Sequence, residues 1–232
     1  MQIKSLVKTT LIDYPNHIAA IIFVGGCNFR CDYCYNKDLV YNPDKIPTIP
    51  EETVLSFLNS RKKVLEGLVI TGGEPTLQKD LKEFILKVKA LGLKVKLDSN
   101  GYNPEILEEF IALGIIDYIA MDIKASLGRY AEIAGVNIAT DRIKRSIELL
   151  KTSGIPYEFR TTVWKNGFSE KEFQAIYELI QGAQDHCLQN MYPYFSIKPK
   201  LTYEPMSREE ILPIVELGKK YVKNVQLRGE WY

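Results

Sequence analysis

Short apolar runs of strand length alternate with amphipathic segments of helical period along this chain, and no other feature limits its possible folds as strongly. The apolar runs are bounded by glycine, proline or polar residues, as is typical of buried strands. We predict six strands at residues 18–24, 67–71, 94–97, 118–123, 157–163 and 189–196. We predict helices at residues 51–65, 79–91, 104–113, 141–152, 170–181 and 207–222. This strict alternation predicts parallel strands joined by right-handed crossovers.

Six strand–helix units are too few for a complete barrel, because an eight-fold barrel needs about 250 residues. The chain has 232 residues. We therefore expect an α/β fold, specifically a partial (β/α)6 TIM-like barrel with parallel strands and a lateral opening. Pro193 favours an edge position for the sixth strand, and Pro213 indicates either a kink in the last helix or its true start. The sequence has no long linker or low-complexity tract, so we expect a single domain over residues 1–232.

Composition and charge exclude several classes of protein. The hydrophobic content of 46% supports a full core, and 30 basic residues nearly balance 29 acidic ones. This balance gives no field that would attract nucleic acid or a membrane surface. The N-terminal residues show no secretion signal, and the early apolar run at residues 18–24 is too short to span a membrane. We expect a cytoplasmic protein.

Three of the four cysteines, Cys27, Cys31 and Cys34, lie on one loop directly after the first predicted strand. Gly25 and Gly26 separate strand and loop and allow a sharp turn of the backbone. The thiols are therefore close enough to converge on one centre. Soft thiolates grouped in this way select zinc, copper(I) or an iron–sulfur cluster.

The number of thiolates helps to decide which metal centre the cysteine loop would hold. In a four-iron cluster each iron is normally held by one cysteine, so three local cysteines would leave one iron open to a small molecule. A structural zinc site normally has four protein ligands, and Cys187, His17 or His186 would have to complete it. A disulfide is disfavoured because no secretion signal accompanies the thiols.

Other candidate residues lie at or just after the ends of predicted strands, at the same end as the cysteine loop, and Arg160 lies within the fifth predicted strand. Active sites of α/β proteins form at the C-terminal ends of the strands. A buried carboxylate there needs a partner, so Asp98 and Asp122 require a cation such as Lys124 or a bound ion. The positions in question are Gly72, Gly73, Glu74, Asp98, Ser99, Asp122, Lys124 and Arg160.

Four segments resemble those of one enzyme family. The segment Cys27-Asn-Phe-Arg-Cys-Asp-Tyr-Cys34 resembles the cluster loop of radical S-adenosylmethionine enzymes, and Thr71-Gly-Gly-Glu-Pro75 resembles their Gly-Gly-Glu segment. Asp98-Ser-Asn-Gly101 and Met121-Asp-Ile-Lys124 resemble segments of the branch that activates glycyl-radical enzymes. Residues 8–15 resemble the activating proteins of anaerobic ribonucleoside-triphosphate reductases in particular. The resemblance extends from Thr10 to about Arg160.

The resemblance implies a set of ligands and contacts. One 4Fe–4S cluster would be held by Cys27, Cys31 and Cys34, with S-adenosylmethionine on the open iron. The amine of its methionine would contact Gly72, Gly73 and Glu74. Its ribose, its carboxylate and a monovalent cation would be held around Asp98, Ser99, Asp122 and Lys124. Arg160 would help to hold the cofactor, and the ring of Tyr33 would lie against the adenine.

Each of these positions also has an ordinary structural interpretation. Glu74 would then be a solvated side chain in the turn after a strand, and Asp122 would form a structural pair with Lys124. Arg160 would form a surface salt bridge. Tyr33 would be a packing aromatic residue.

The implied activity is that of an oxidoreductase that activates a glycyl-radical enzyme. It would reductively cleave S-adenosylmethionine to a 5′-deoxyadenosyl radical, which abstracts hydrogen from a glycine of a partner such as anaerobic ribonucleotide reductase. The electron would come from a one-electron donor such as ferredoxin or flavodoxin. Two alternatives stay open at this point. One is a radical enzyme acting on a small molecule, in deazapurine or cofactor biosynthesis, and the other is a non-enzymatic module that carries a cluster or zinc.

The sequence departs from the family pattern at three points. Many activating enzymes have histidine after the last cluster cysteine, where this chain has Tyr35. The pyruvate formate-lyase activating enzyme has a ribose-contacting histidine near its sixth strand, where this chain has Pro193-Tyr-Phe195. No second set of cysteines is present for an auxiliary cluster, and we assign no role to Cys187.

Overall fold

The computed structural model describes residues 1–192 and 203–231. These residues form eight strands, β1 to β8: Ile3–Thr10, Ala19–Val24, Gly67–Gly72, Lys94–Ser99, Tyr118–Asp122, Tyr157–Val163, Asp185–Asn190 and Asn224–Arg228. They also form eight helices, α1 to α8: Lys37–Tyr41, Glu51–Arg61, Leu81–Ala90, Pro104–Ala112, Tyr130–Ala134, Thr140–Thr152, Glu170–Leu179 and Arg208–Gly218. The order of strands in the sheet follows the chain from β1 to β8. The α/β class with a mostly parallel, unclosed sheet is thus confirmed.

The first five predicted strands correspond to β2 to β6, and the six predicted helices correspond to α2, α3, α4, α6, α7 and α8. The prediction of the sixth strand was misplaced, because β7 ends at Asn190. Positions 193–196 of that prediction lie outside the described residues. Helix α8 begins before Pro213, since Ser207 and Glu210 form a capping box at its N-terminus. Pro213 therefore lies inside this helix and does not mark its start.

Two edge strands were not predicted. Strand β1 pairs antiparallel with β2 and is not one of the six strands that were predicted to be parallel. Strand β8 pairs parallel with β7. Most positions of β1 and β8 are exposed or only partly buried, and the apolar residues of β1 do not alternate regularly. Because an edge strand is paired on one side only, its own sequence needs little apolar character.

The chain divides into two compact units. Unit 1 comprises Met1–Asn28 and Asn36–Ala120, and unit 2 comprises Phe29–Tyr35 and Met121–Tyr232. The single domain expected from the sequence stays a prediction. In unit 1, strands β2, β3 and β4 are parallel neighbours. Strands β2 and β3 are nearly continuous apolar runs because both faces of a parallel sheet are covered.

The core of unit 1 includes an aromatic cluster on one face of this sheet. Tyr14, Ala19, Ile21 and Val69 are buried together, and Phe23 and Tyr118 pack against them. In unit 2, β6, β7 and β8 are parallel neighbours. Among the helices that the structure describes, none combines the length and apolar character needed to cross a bilayer.

Candidate functional site

In unit 1 the turn after β2 and the turn after β3 are in direct contact through their backbones. The amide of Gly73 donates to the carbonyl of Val24, and the amide of Glu74 donates to the carbonyl of Gly26, both at 2.8 Å. A Cβ atom at Gly73 would lie 1.9 Å from the carbonyl oxygen of Gly26. At Gly72, φ is +120° and a Cβ would lie 2.4 Å from the backbone nitrogen of Val24. The two glycines are therefore required for this close approach.

Glu74 is buried, and the hydrogen bonds that its carboxylate accepts hold the turn after β3 in place. Its Oε1 accepts from the amide of Thr76 at 3.1 Å, from the Thr76 hydroxyl at 2.5 Å and from the Ser99 hydroxyl at 2.9 Å. Its Oε2 accepts from the amide of Asn100 at 2.7 Å. Burial raises the pKa of the Glu74 carboxyl, and these hydrogen bonds lower it without offsetting the burial. Glu74 is thus not a solvated turn residue, and its predicted contact with the methionine amine stays a prediction.

The segment after β4 links this turn to the start of the cysteine loop. The side-chain amide of Asn100 donates to Oδ1 of Asn28 at 2.8 Å, and Asn28 follows Cys27. Ser99 supports the same segment, since its hydroxyl accepts from the amide of Gly101 at 3.1 Å. Ser99 and Asn100 are both buried. These contacts position Ser99 beside Glu74, and its predicted cofactor contact stays a prediction.

The three predicted cluster ligands are half-buried or buried cysteines. Cys27 and Cys34 are half-buried and Cys31 is buried, and none of them forms a disulfide. Within unit 2, the amide of Cys34 donates to the carbonyl of Cys31 at 3.1 Å. Burial raises the pKa of the Cys31 thiol to about 11, although Lys124 lowers it. This thiol must therefore lose a proton when it binds a metal.

Asp122, Lys124 and Arg160 form an ion cluster in unit 2, with Asp122 at the end of β5, Lys124 just after it and Arg160 in the middle of β6. Asp122 accepts from Nε of Arg160 and from Nζ of Lys124, both at 2.9 Å. Burial raises the pKa of the Asp122 carboxyl, but Arg160 and Lys124 outweigh this effect and bring it to about 2. The hydroxyl of Tyr130 donates to the backbone carbonyl of Asp122 at 3.2 Å. Asp122 is thus held ionised, with 27% of its side chain exposed.

Tyr33 packs within unit 2. Its ring centroid is 5.2 Å from that of Trp164, and Nζ of Lys124 lies 5.7 Å from the same Tyr33 centroid. The hydroxyl of Tyr33 is buried and has no hydrogen-bond partner among the described residues. The ring of Tyr33 thus packs as an ordinary aromatic residue would, and its proposed contact with adenine stays a prediction.

Tyr35, which stands where many activating enzymes have histidine, has a structural role in unit 2. Its hydroxyl donates to Sδ of Met191 at 3.2 Å and accepts from the amide of Tyr192 at 2.8 Å. Tyr35 thereby holds the segment that follows β7. The departure at Pro193-Tyr-Phe195 lies outside the described residues.

The cysteine loop supplies thiolates, the usual ligands of iron–sulfur clusters. Among residues 1–192 and 203–231, no three His, Cys, Asp or Glu side chains could hold one metal ion. A structural zinc site would need such a group, so the described residues give it no support. A cluster instead needs each thiolate to bind a different iron. Cys27, Cys31 and Cys34 would be these three ligands.

Three charged residues that were not predicted form ion pairs on β4, β6 and β8. Lys96 on β4 donates to Oδ1 of Asp98 at 2.5 Å. Arg228 on β8 forms two hydrogen bonds with Glu158 on β6, at 3.0 and 2.7 Å. A signal was present for Lys96 and Glu158, because each lies two residues before a predicted site residue and so shares its face of the strand. Arg228 gave no comparable signal.

His186, one of the histidines considered for zinc, is buried away from water in unit 2. The hydroxyl of Thr161 donates to the carbonyl of Ile123 at 2.9 Å, so it accepts from Nε2 of His186, also at 2.9 Å. The ring of Tyr177 packs edge-on against the imidazole. Burial lowers the pKa of His186 to about 3.

The neutral imidazole predicts a dependence of stability on pH. Because the unfolded state binds a proton with a pKa of about 6.5, stability is lost as the pH falls below that value toward the folded pKa. Between pH 7.5 and 5 we expect His186 to account for a loss of about 2 kcal/mol. Urea unfolding of the wild type and of His186→Gln at both pH values measures this contribution. The same loss in both proteins would show that His186 is not responsible.

The chain is similar to several known proteins. A model of the Radical SAM superfamily matches residues 21–180. A protein of Methanocaldococcus jannaschii, provisionally named a glycyl-radical enzyme activating enzyme, is 32% identical over 97% of this chain and 95% of its own length. A GTP 3′,8-cyclase of Helicobacter pylori is 29% identical over 91% of this chain and 66% of its own length.

A solved structure shows the same fold. The crystal structure of Streptococcus suis SuiB bound to the precursor peptide SuiA matches with a TM-score of 0.67 at 16% identity. The match covers 90% of this chain and 48% of that one, so this chain spans about half of SuiB. The family match over residues 21–180 and the relative of nearly equal length show that this chain belongs to the radical SAM superfamily.

Proposed function

We propose that the protein is an oxidoreductase that activates a glycyl-radical enzyme, with S-adenosylmethionine as cofactor. The observation that carries this proposal is the 32% identity to the M. jannaschii protein over 97% of this chain and 95% of that protein. The match extends over nearly the whole length of both chains. The resemblance of residues 8–15 favours an anaerobic ribonucleotide reductase as the partner, and ferredoxin or flavodoxin suits the role of electron donor.

In this superfamily, a reduced 4Fe–4S cluster supplies the electron that cleaves S-adenosylmethionine. Cys27, Cys31 and Cys34 would hold the cluster through three irons and leave the fourth open. The hydrogen bond from the amide of Glu74 to the carbonyl of Gly26 would hold the start of the cysteine loop in place. The protein's task is then to bind the cofactor, orient it and exclude competing reactions.

The ion cluster of unit 2 suits the polar part of the cofactor. Asp122 keeps its charge through Arg160 and Lys124 and is still partly exposed. An ionised carboxylate held in this way accepts strong hydrogen bonds from hydroxyl or ammonium groups. Arg160 and Lys124 would in turn favour a carboxylate close to them. Asp122, Lys124 and Arg160 are thus suited to bind a zwitterionic amino acid group with an attached ribose.

A direct test is electron paramagnetic resonance on anaerobic mixtures of the reconstituted protein, a reductant, S-adenosylmethionine and a candidate glycyl-radical enzyme from the same organism. We expect a stable glycyl radical on the partner, with formation of 5′-deoxyadenosine coupled to it. A partner whose reacting glycine is replaced by alanine is the matched control and should give no such radical.

The similarity to a GTP 3′,8-cyclase favours a second candidate, a radical enzyme that acts on a small molecule. Stoichiometric turnover of a purine nucleotide, with no radical on any protein, would establish this alternative and contradict our proposal. An intact cluster that releases no 5′-deoxyadenosine under reducing conditions would instead indicate a non-enzymatic cluster-carrying module.

A further inference from the structure

Lys96 is a buried cation on strand β4. Only 1% of its side chain is exposed, and its Nζ lies 2.5 Å from Oδ1 of Asp98. The two residues share one face of the strand because they are two positions apart. The ammonium also lies 5.8 Å from the ring centroid of Tyr118, which favours a cation.

This ammonium cannot leave Asp98 without a large penalty. A buried charge is tolerated only when it is paired and hydrogen-bonded. Lys96 has almost no exposed surface, so it cannot exchange Asp98 for water while the sheet stays folded. Asp98, with 12% of its side chain exposed, therefore carries a permanent counter-ion supplied by its own strand.

The resemblance to activating enzymes implies a monovalent cation around Asp98 and Asp122, and the residues present do not fit such an ion. In unit 1, the ammonium of Lys96 already occupies Oδ1 of Asp98. A monovalent cation at Asp98 would lie about 4 Å from this fixed ammonium. Repulsion between the two charges would weaken its binding by on the order of a hundredfold to a thousandfold, compared with a site without the ammonium. In unit 2, Asp122 has its own two cations, Lys124 and Arg160. Each carboxylate is thus neutralised by side chains of its own unit.

We propose that Lys96 replaces the exchangeable monovalent cation, so that cofactor binding by this protein does not depend on sodium or potassium. The inference rests on the proposed function only in so far as Asp98 contacts the cofactor. A built-in ammonium always occupies its position and needs no ion from solution. Lys96 is in this sense a positioning residue, which acts through the charge and orientation of Asp98.

The first measurement is the affinity of the anaerobic holoprotein for S-adenosylmethionine, by equilibrium dialysis at constant ionic strength. Three buffers are compared, each with one monovalent cation: potassium, sodium or the bulky tetramethylammonium. For the wild type we expect the same dissociation constant in all three. For Lys96→Met, which keeps most of the aliphatic stem, we expect binding about tenfold to a hundredfold weaker in tetramethylammonium. Potassium or sodium should restore it, which a merely structural role of Lys96 would not predict.

Lys94→Met is a matched control, because Lys94 lies on the same face of β4 but is exposed and contacts His17 through its Nζ. This variant should behave as the wild type does in all three salts. Lys96→Arg keeps the charge and should also be independent of the added cation.

The second measurement does not need the cofactor. Thallium(I) mimics potassium, and its anomalous scattering in crystals shows whether an ion binds at Asp98. We expect none in the wild type and one in Lys96→Met. A thallium ion at Asp98 in the wild type, or wild-type affinity that depends on potassium, would overturn the proposal even if the variant did not fold. Failure of all proteins to bind S-adenosylmethionine would count against the proposed function, whereas the thallium result would still decide the role of Lys96.

Discussion

Replacement of Cys27, Cys31 or Cys34 by alanine is expected to abolish assembly of the iron–sulfur cluster, whereas Cys187→Ala should assemble it normally. Each of the three loop thiolates would hold a different iron, so none can substitute for another. Cys187 lies buried on β7, far along the chain from the cysteine loop. Iron and sulfide content after anaerobic reconstitution of the four variants measures the outcome.

The comparison with Cys187→Ala also distinguishes the kind of centre. Equal loss of iron in that variant would indicate a closed site with four thiolates, which leaves no open iron for a cofactor. Circular dichroism of the four apoproteins serves as a control for folding. Retention of a full cluster by any of the three loop variants would contradict the assignment of its ligands.

Replacement of Arg228 by methionine is expected to destabilise the protein by about 3–5 kcal/mol, because it leaves a buried carboxylate unpaired. Glu158 is 3% exposed, and both of its oxygens accept from the guanidinium of Arg228. The hydrogen bonds from Arg228 to Glu158 outweigh partial burial and raise the pKa of Arg228. The pair connects β6 to β8 across β7. Anaerobic urea unfolding of the wild type and of the variant measures the loss.

A second variant separates the unpaired charge from the lost packing. The double variant Glu158→Gln/Arg228→Met should recover much of the lost stability, because no uncompensated charge is then buried. Lys219→Met, which breaks the exposed pair of Lys219 with Glu216, is the control for a surface pair and should change little. If Arg228→Met cost no more than Lys219→Met, the buried pair would not be a major contributor to stability.

The fold class could be predicted because its signals are local. Residues of β2 and β3 are apolar without interruption, which reflects burial on both faces of a parallel sheet. The helices reveal themselves by an apolar face and by residues at their ends, such as Pro104 in the first turn of α4. The candidate site was readable for the same reason. The three cysteines lie within eight residues, and Gly72 to Glu74 follow the end of a strand without interruption.

The sequence alone therefore determined the α/β class, most of the strands and helices, and the residue types of the site. Only the tertiary structure decided which buried charges form ion pairs and which segments become edge strands. Strands β1 and β8 were missed because the neighbour of an edge strand, rather than its own pattern, makes it a strand. Glu74 received its donors from Ser99 and Asn100, which lie on another strand and the loop after it. Arg160 and Arg228 likewise found their carboxylates because their strands lie near those of Asp122 and Glu158 in the sheet. Periodicity records which face of an element is buried, whereas the partner of a buried charge depends on which strands become neighbours.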